Sequence, residues 1–228
     1  MSTVIDLKKG ELTRHINKAC KAISDGYIIA IPLEHSYVYV CDAFKADSVR
    51  AMHVLRGDPL FTAAQVLVAS QKIAQGVVRE ITPETTALMK KFWPGMLSMN
   101  LRPQTGLSWD LGDANHLDQV SIRVPKSKFV KALLAKSGPL AVASAGRADR
   151  SSVLSFGSAE RVVRSAIKSI DEIKVTESDL AFKFNNGVLR NGPLSTVIEA
   201  DETGVRVLRI GAISLEEILS VVPGATAL

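Results

Sequence analysis

The sequence predicts a single α/β domain built on a central mixed sheet. Stretches with helical spacing of apolar residues alternate with short β-rich apolar runs along nearly all of the 228 residues. No internal repeat, low-complexity tract or long linker interrupts this alternation. A chain of this length can bury a sizeable core, and a content of 46% hydrophobic and 22% charged residues is ordinary for a soluble globular protein. One layered α/β unit is therefore the simplest architecture.

Six helices are predicted from apolar spacing and from capping residues. Thr82, Pro83 and Glu84 supply an N-cap hydroxyl, a first-turn proline and an acid beside the positive end of the helix dipole. Ser214 and Glu217 form the pattern of a capping box before the last helix. The predicted helices cover residues 12–23, 49–55, 83–92, 129–136 and 158–170, and one follows Ser214.

The predicted strands are short β-rich runs that end at turn residues. They cover residues 27–31, 36–41, 65–69, 97–101, 120–124, 139–143, 180–184, 195–199 and 205–209. The tail after Pro223 is expected to be frayed, as chain ends without packing partners usually are.

Charge and cysteine content narrow the class of protein. With 28 Lys and Arg against 23 Asp and Glu, the net charge of +5 favours polyanionic partners such as nucleotides or RNA, although a basic solvated surface explains it equally well. Cys20 and Cys41 form no C-x-x-C pair, so we expect buried free thiols in a reducing compartment. No signal-peptide core or run of about eighteen apolar residues is present. The sequence therefore predicts a cytoplasmic protein that does not interact with membranes.

An arginine stands in the middle of the apolar run 120–124. On strict alternation Arg123 shares a face with Ser121, while Ile122 and Val124 point to the core. A guanidinium held on a rigid strand suits bidentate binding of a carboxylate or phosphate. The alternative is an edge-strand arginine in water.

Three loops could also bind an anion. Gly187 and Gly192 precede the hydroxyls of Ser195 and Thr196, although a hairpin turn packed for stability explains this spacing as well. The segment 144–147 follows a buried strand, where open α/β sheets bind ligands. The segment 56–59 by itself predicts only a tight turn.

Other polar residues carry weaker signals. His35 and His53 are too isolated to suggest a metal site, and Glu34 could be a base or a cap partner. The sequence has no Ser-His-Asp order, Walker loop or dinucleotide fingerprint. Hydrolase, P-loop ATPase and dehydrogenase functions therefore have little support.

Taken together, these segments resemble the YrdC/YciO family, which includes L-threonylcarbamoyl-AMP synthase. The resemblance runs in the correct order from about residue 12 to residue 213 and depends on the collinearity of several short motifs. They read PLEHSYVY at 32–39, RGDP at 56–59, FWPGMLS at 92–98, RVP at 123–125, ASAG at 143–146, GPLSTV at 192–197 and LRIGAI at 208–213.

The resemblance implies a twisted, largely parallel or mixed sheet with flanking helices and a basic concave cleft. It places this domain at residues 8–215, followed by a C-terminal helix and frayed tail at 216–228. The implied reaction converts ATP, bicarbonate and L-threonine into threonylcarbamoyl-AMP and pyrophosphate, with Mg²⁺ neutralising the phosphates. The product supplies the threonylcarbamoyl group of an adenosine beside the tRNA anticodon.

Site roles follow from the resemblance residue by residue, and no metal-ligating residues are implied. The expected ATP-binding residues are Arg56, Ser98, Ser144 and Arg209, with Arg56 also catalytic. The expected threonine-binding residues are His35, Arg123 and Ser195.

Departures from the family pattern keep a second function open. The family's lysine and arginine in the second motif are Arg56 and Asp58 here, and the following lysine-proline is Thr62-Ala63. An acid about 4 Å from a phosphate would be repelled by roughly 4 kcal/mol. Other family residues are replaced as well: a histidine by Leu67, two threonines by His35 and Ala143, and an asparagine by Gly146. The alternative is a catalytically degenerate paralogue that binds nucleotide, double-stranded RNA or tRNA without synthase turnover.

Overall fold

A mixed sheet of eleven strands forms the centre of the protein. The computed structural model describes residues 3–114, 118–146, 153–156, 159–162, 166–173, 175 and 180–227. Its strands are β1 Thr3–Asp6, β2 Ile28–Pro32, β3 Tyr37–Asp42, β4 Gln65–Leu67, β5 Leu97–Leu101, β6 Val120–Arg123, β7 Leu140–Ser144, β8 Val153–Phe156, β9 Ala159–Val162, β10 Leu180–Asn185, β11 Thr196–Asp201, β12 Gly204–Arg209 and β13 Thr226–Ala227. Its helices are α1 Leu12–Ser24, α2 Ala46–Arg56, α3 Gln71–Val77, α4 Pro83–Phe92, α5 Lys128–Ser137 and α6 Leu215–Leu219.

The strand order of the large sheet is β1-β10-β2-β3-β7-β4-β6-β5-β11-β12-β13, and β8 and β9 form a separate pair. Five of the ten neighbouring pairs in the large sheet are parallel and five are antiparallel. The prediction of an α/β fold with a mixed sheet is confirmed, and parallel pairing is limited to half of the sheet.

Both faces of the central strands are buried. Along β2, Ile28 and Ala30 belong to one apolar cluster, whereas Ile29 and Ile31 belong to another. Helices α1 and α5 contribute to the second cluster, and α2, α3, α4 and α6 contribute to the first. Alternate side chains of a strand therefore pack into the two apolar clusters on opposite faces of the sheet. This explains why the strand sequences are almost continuously apolar.

Local sequence signals account for several helix boundaries. The Thr82 hydroxyl accepts a hydrogen bond from the Thr85 amide at the start of α4. Ser214 and Glu217 form the predicted capping box at the start of α6. Helix α2 ends at Gly57, whose left-handed backbone (φ 64°) suits a residue without a Cβ. The predicted caps at Thr82 and Ser214 are confirmed.

The prediction of a helix over 158–170 is wrong where the structure describes this segment. Residues Ala159–Val162 form strand β9, which pairs antiparallel with β8, and a 3₁₀ turn follows at Ile170–Glu172. Pairing with the nearby strand β8 prevails there over the helical spacing of apolar residues. The chain end also differs from expectation, because Thr226 and Ala227 pair with β12.

None of the helices in the described ranges is long and apolar enough to cross a membrane.

Candidate functional site

One cavity of about 430 Å³ brings together six of the seven predicted site residues. The cavity lies on the sheet face covered by α1 and α5, because Val38 and Val142 belong both to its lining and to the apolar cluster beneath those helices. The predicted residues in the lining are His35, Arg56, Arg123, Ser144, Ser195 and Arg209. The seventh, Ser98, is fully buried and lies behind the wall, in hydrogen-bond contact with Ser195.

Strand alternation places Arg123 as the sequence predicts. Ser121 and Arg123 line the cavity, whereas Ile122 and Val124 pack in the core on the opposite face. The Arg123 side chain is held from two directions, since its Nε donates to the Gly95 carbonyl at 2.8 Å and its Nη2 contacts the Met96 sulfur at 2.9 Å. The edge-strand alternative is therefore wrong, and the guanidinium is fixed at the cavity wall.

Glu34 forms an ion pair with Arg123. Its Oε2 accepts from Arg123 Nη2, and its Oε1 accepts from the Lys126 amide at 2.7 Å. Both side chains are mostly buried, at 6% exposure for Arg123 and 13% for Glu34. A carboxylate of the protein thus already contacts the guanidinium that was predicted to bind a substrate carboxylate. An incoming carboxylate must share Arg123 with Glu34 or displace it.

Asp58 is buried, so the expectation that it repels a phosphate in the cleft is wrong. Its side chain has no exposed surface and lies 2.9 Å from Arg56 Nη1. His53 Nδ1 lies 2.8 Å from the same carboxylate, and His53 Nε2 lies 3.0 Å from the Leu111 carbonyl. The acid is therefore neutralised by Arg56, the residue expected to bind ATP. Arg147 and Arg150 lie outside the described residues.

A hydrogen-bonded chain of four polar side chains runs along the cavity floor, from Gln65 through Ser98 and Ser195 to Arg209. Gln65 Nε2 donates to Ser98 Oγ at 2.8 Å and to Ser121 Oγ at 3.0 Å. Ser98 Oγ donates to Ser195 Oγ at 3.1 Å, and Arg209 Nη2 donates to the same Ser195 oxygen at 3.2 Å. Sequence analysis missed Gln65, although an amide within an otherwise apolar strand is a signal that could have drawn attention to it.

The two hydroxyls of the late motif have different roles. Thr196 is fully buried, donates to the Ile213 carbonyl at 2.6 Å, and accepts from the amides of Gly211 and Ile213 at 2.9 and 3.0 Å. Thr196 therefore holds the closing 208–213 segment in place, whereas Ser195 faces the cavity. The packing interpretation therefore applies to Thr196, and anion binding by Ser195 stays a prediction.

Gly192 is required by the close approach of His35. A Cβ on residue 192 would lie 2.4 Å from Cε1 and Nε2 of the His35 ring. The histidine also accepts a hydrogen bond at its backbone carbonyl from Lys168 Nζ, at 2.7 Å. Its Nδ1 is buried and has no hydrogen-bond partner among the described residues. His35 thus fills the space between the first and the late motif.

The segment after β7 is described only as far as Gly146. Ser144 Oγ accepts from the Gly146 amide at 3.3 Å and borders the cavity with Ala143. Arg147, which the sequence places in the same loop, lies outside the described residues.

The charges in the described lining are three guanidinium groups and one carboxylate, with Asp58 buried directly behind Arg56. Two of the three arginines, Arg56 and Arg123, form ion pairs with carboxylates of the protein. The described residues contain no group of three or more His, Cys, Asp or Glu side chains placed to hold a metal ion. The strongly basic cleft implied by the resemblance therefore remains an expectation.

Two groups away from the cavity have shifted pKa values that follow from their surroundings. Burial raises the pKa of the Cys41 thiol to about 12, with a smaller contribution from Asp42. The hydrogen bond from Arg50 lowers the pKa of Asp110 and attaches the 107–113 loop to α2. Both cysteines are free thiols, and Cys41 is fully buried. Cys41 is therefore a core residue and not a nucleophile.

Comparison with known proteins identifies relatives over most of the chain. The family model Sua5/YciO/YrdC, described as Telomere recombination, matches residues 21–211. A putative threonylcarbamoyl-AMP synthase of Mycobacterium leprae is 28% identical over 215 residues, covering 93% of this chain and 91% of the relative. A threonylcarbamoyl-AMP synthase of Pyrococcus abyssi is 27% identical over 223 residues, covering 97% of this chain and 61% of the relative.

Solved structures share the fold. A variant of P. abyssi Sua5 superposes with a TM-score of 0.84 at 24% identity, over 100% of this chain and 62% of that chain. P. abyssi Sua5 complexed with L-threonine gives 0.82 at 23% identity, over the same shares of the two chains. Escherichia coli YciO gives 0.75 at 19% identity, over 96% of this chain and 100% of that chain. The chain thus spans about three fifths of the P. abyssi protein and the whole of YciO.

Proposed function

The chain belongs to the Sua5/YciO/YrdC family, and from this premise we propose that it is a nucleotidyltransferase of the threonylcarbamoyl-AMP synthase type. It would convert ATP, bicarbonate and L-threonine into threonylcarbamoyl-AMP and pyrophosphate, and so supply tRNA modification. The observation that carries the proposal is the convergence of three guanidinium groups and the Ser144 and Ser195 hydroxyls on one cavity. Relatives named as synthases add support.

The reaction requires several anions to be gathered at one place. An oxygen of the threonine carbamate attacks the α-phosphorus of ATP, a new P–O bond forms, and the bond to the β-phosphate breaks to release pyrophosphate. Arg209 on β12 and Ser195, which directly precedes the adjacent strand β11, could bind phosphate or carboxylate oxygens together. Mg²⁺ would arrive with the phosphates of ATP and neutralise part of their charge. The role of the protein is then positioning and electrostatic stabilisation.

The test is pyrophosphate release by the purified protein in the presence of ATP, bicarbonate and L-threonine, with threonylcarbamoyl-AMP identified by mass spectrometry. Replacing Arg209 with alanine should reduce synthesis at least about tenfold, because a charge-assisted hydrogen-bond donor is lost. Arg206→Ala is a matched control, since Arg206 lies on the same strand but pairs with Glu199 away from the cavity. Equal loss in the two variants would contradict the proposed site.

A second function is favoured by the two internal ion pairs. Asp58 and Glu34 already contact Arg56 and Arg123, which reduces the positive charge that the site offers to a substrate. The protein would then bind nucleotide or RNA without synthesis. No pyrophosphate release with any amino acid, together with RNA binding that weakens steeply with salt, would favour this function over the synthase.

A further inference from the structure

The hydrogen bonds along the cavity floor have a defined direction. A glutamine amide has two N–H groups, and those of Gln65 are directed at Ser98 and Ser121. A serine hydroxyl has one proton, and Ser98 uses its proton on Ser195. The chain of donors therefore runs from Gln65 through Ser98 to Ser195.

Ser195 is the end of this chain. Its oxygen accepts one hydrogen bond from Ser98 and one from Arg209. These two hydrogen bonds occupy both acceptor positions of the hydroxyl. Within the described ranges no acceptor takes the proton of Ser195 itself. Since Ser195 lines the cavity, that proton is available to a ligand, and the ligand atom it meets must be an acceptor.

The geometry points to Gln65 as a positioning residue that orients the Ser195 proton toward an anionic acceptor in the cavity. Ser98 is fully buried, so water does not compete with Gln65 for its lone pairs. Arg209 adds positive charge at the same oxygen, which favours a carboxylate or phosphate oxygen over a neutral carbonyl. This inference deepens the proposed function and rests on it for the identity of the ligand.

The experiment measures binding of two probes, L-threonine and inorganic pyrophosphate, by titration calorimetry. Ser195→Ala first identifies the probe that depends on Ser195. Gln65→Met keeps the length of the side chain but removes both N–H donors. It should weaken the binding of that same probe by about threefold to tenfold. Ser98→Ala should cause a similar loss. Because Gln65 acts through Ser98, the double variant Q65M/S98A should bind no more weakly than S98A alone.

Two further measurements separate positioning from folding. Gln75→Met makes the same chemical change on the exposed side of α3 and should leave probe binding unchanged. Thermal unfolding of each variant shows whether it is folded at the temperature of the titration. If Q65M does not fold, S98A tests the same chain one link closer to Ser195.

Three results would overturn the inference. The Q65M variant could bind the probe as tightly as wild type, the losses of probe affinity in Q65M and S98A could add in the double variant, or neither probe could depend on Ser195. A protein that binds a probe through Ser195, Ser98 and Gln65 but makes no threonylcarbamoyl-AMP would overturn the proposed reaction and leave the inference standing.

Discussion

Asp58 shows how a single side chain changes the character of the cavity. The residue expected at this position in the family is an arginine, and an exposed acid would repel phosphate. The structure buries the Asp58 carboxylate between Arg56 and His53, so its charge is compensated inside the protein. The consequence for the cavity is indirect, because Arg56 keeps its place in the lining but its charge is largely neutralised by Asp58.

Replacing Asp58 with asparagine should destabilise the protein and strengthen anion binding together. The substitution removes the carboxylate that lies 2.9 Å from the buried Arg56 guanidinium, which costs about 3 kcal/mol of unfolding free energy. The same change should tighten pyrophosphate binding, since the negative charge of Asp58 no longer offsets the positive charge of Arg56. Urea unfolding and calorimetric titration measure the two effects.

The control for this prediction is Glu80→Gln. Glu80 also pairs with two arginines, Arg79 and Arg102, but both are nearly half exposed. That substitution should cost less than about 1 kcal/mol. Pyrophosphate binding by D58N that is no tighter than wild type would show that Arg56 does not contribute to an anion site.

The position of a side chain could be predicted from the sequence only where the spacing of residues along a strand determines the face to which the side chain points. Alternation along β6 was enough to direct Arg123 into the cavity and Ile122 into the core. The pairing of Asp58 with Arg56 was not predictable in the same way, because it depends on the left-handed turn at Gly57 and on the position of the α2 side chain His53. Glu34 likewise contacts Arg123, although the two residues are 89 positions apart in the sequence. At that separation the sequence alone does not predict how close two side chains lie in space.

At the scale of elements, Thr196 connects the start of β11 to the segment that follows β12. Its hydroxyl makes one hydrogen bond as donor and two as acceptor, all to backbone groups of residues 211–213. This segment packs closely, since a Cβ on Gly211 would lie 2.3 Å from the Leu194 carbonyl oxygen. The hydroxyl therefore holds the segment that follows Arg209 against the start of β11, next to Ser195.

Thr196→Val should destabilise the protein by about 2–4 kcal/mol, because an isosteric side chain leaves three backbone groups, two of them in buried hydrogen bonds, without the hydroxyl as partner. Thr226→Val is the matched control on the exposed strand β13 and should change stability by less than about 0.5 kcal/mol. Urea unfolding of both variants is the measurement. A similar small effect in the two would mean that the three hydrogen bonds contribute little net stability.

Element prediction succeeded where local chemistry determines structure. The caps of α4 and α6 were predicted from a few adjacent residues. The prediction for the segment 158–170 failed because its apolar spacing fits a helix, while residues 159–162 pair with the nearby strand β8, and periodicity does not reveal a partner strand. Strands β1 and β13 were missed for a related reason, since short edge strands are defined by their neighbours.

At the scale of the whole molecule, the cavity is a product of strand order. Its lining comes from β3, β7, β4, β6, β11 and β12, and Ser98 behind it comes from β5. These are seven consecutive strands of the sheet, yet β7 lies between β3 and β4, and β11 lies beside β5. Composition and periodicity do not give this order. The collinear family motifs identified the residues that converge, and the sheet brings them together.

Because the lining comes from consecutive strands that are distant in sequence, ligand binding should stabilise the molecule as a whole. A ligand present at one hundred times its Kd adds about 2.7 kcal/mol to the free energy of unfolding if it binds only the folded state. We expect pyrophosphate to raise the thermal midpoint accordingly and to slow amide exchange in β4, β6, β7, β11 and β12. Strand β1, at the far edge of the sheet, should be protected less, because it contributes nothing to the lining. Protection confined to one loop, with no change in the midpoint, would mean that the anion binds at the surface and not across the strands that form the cavity.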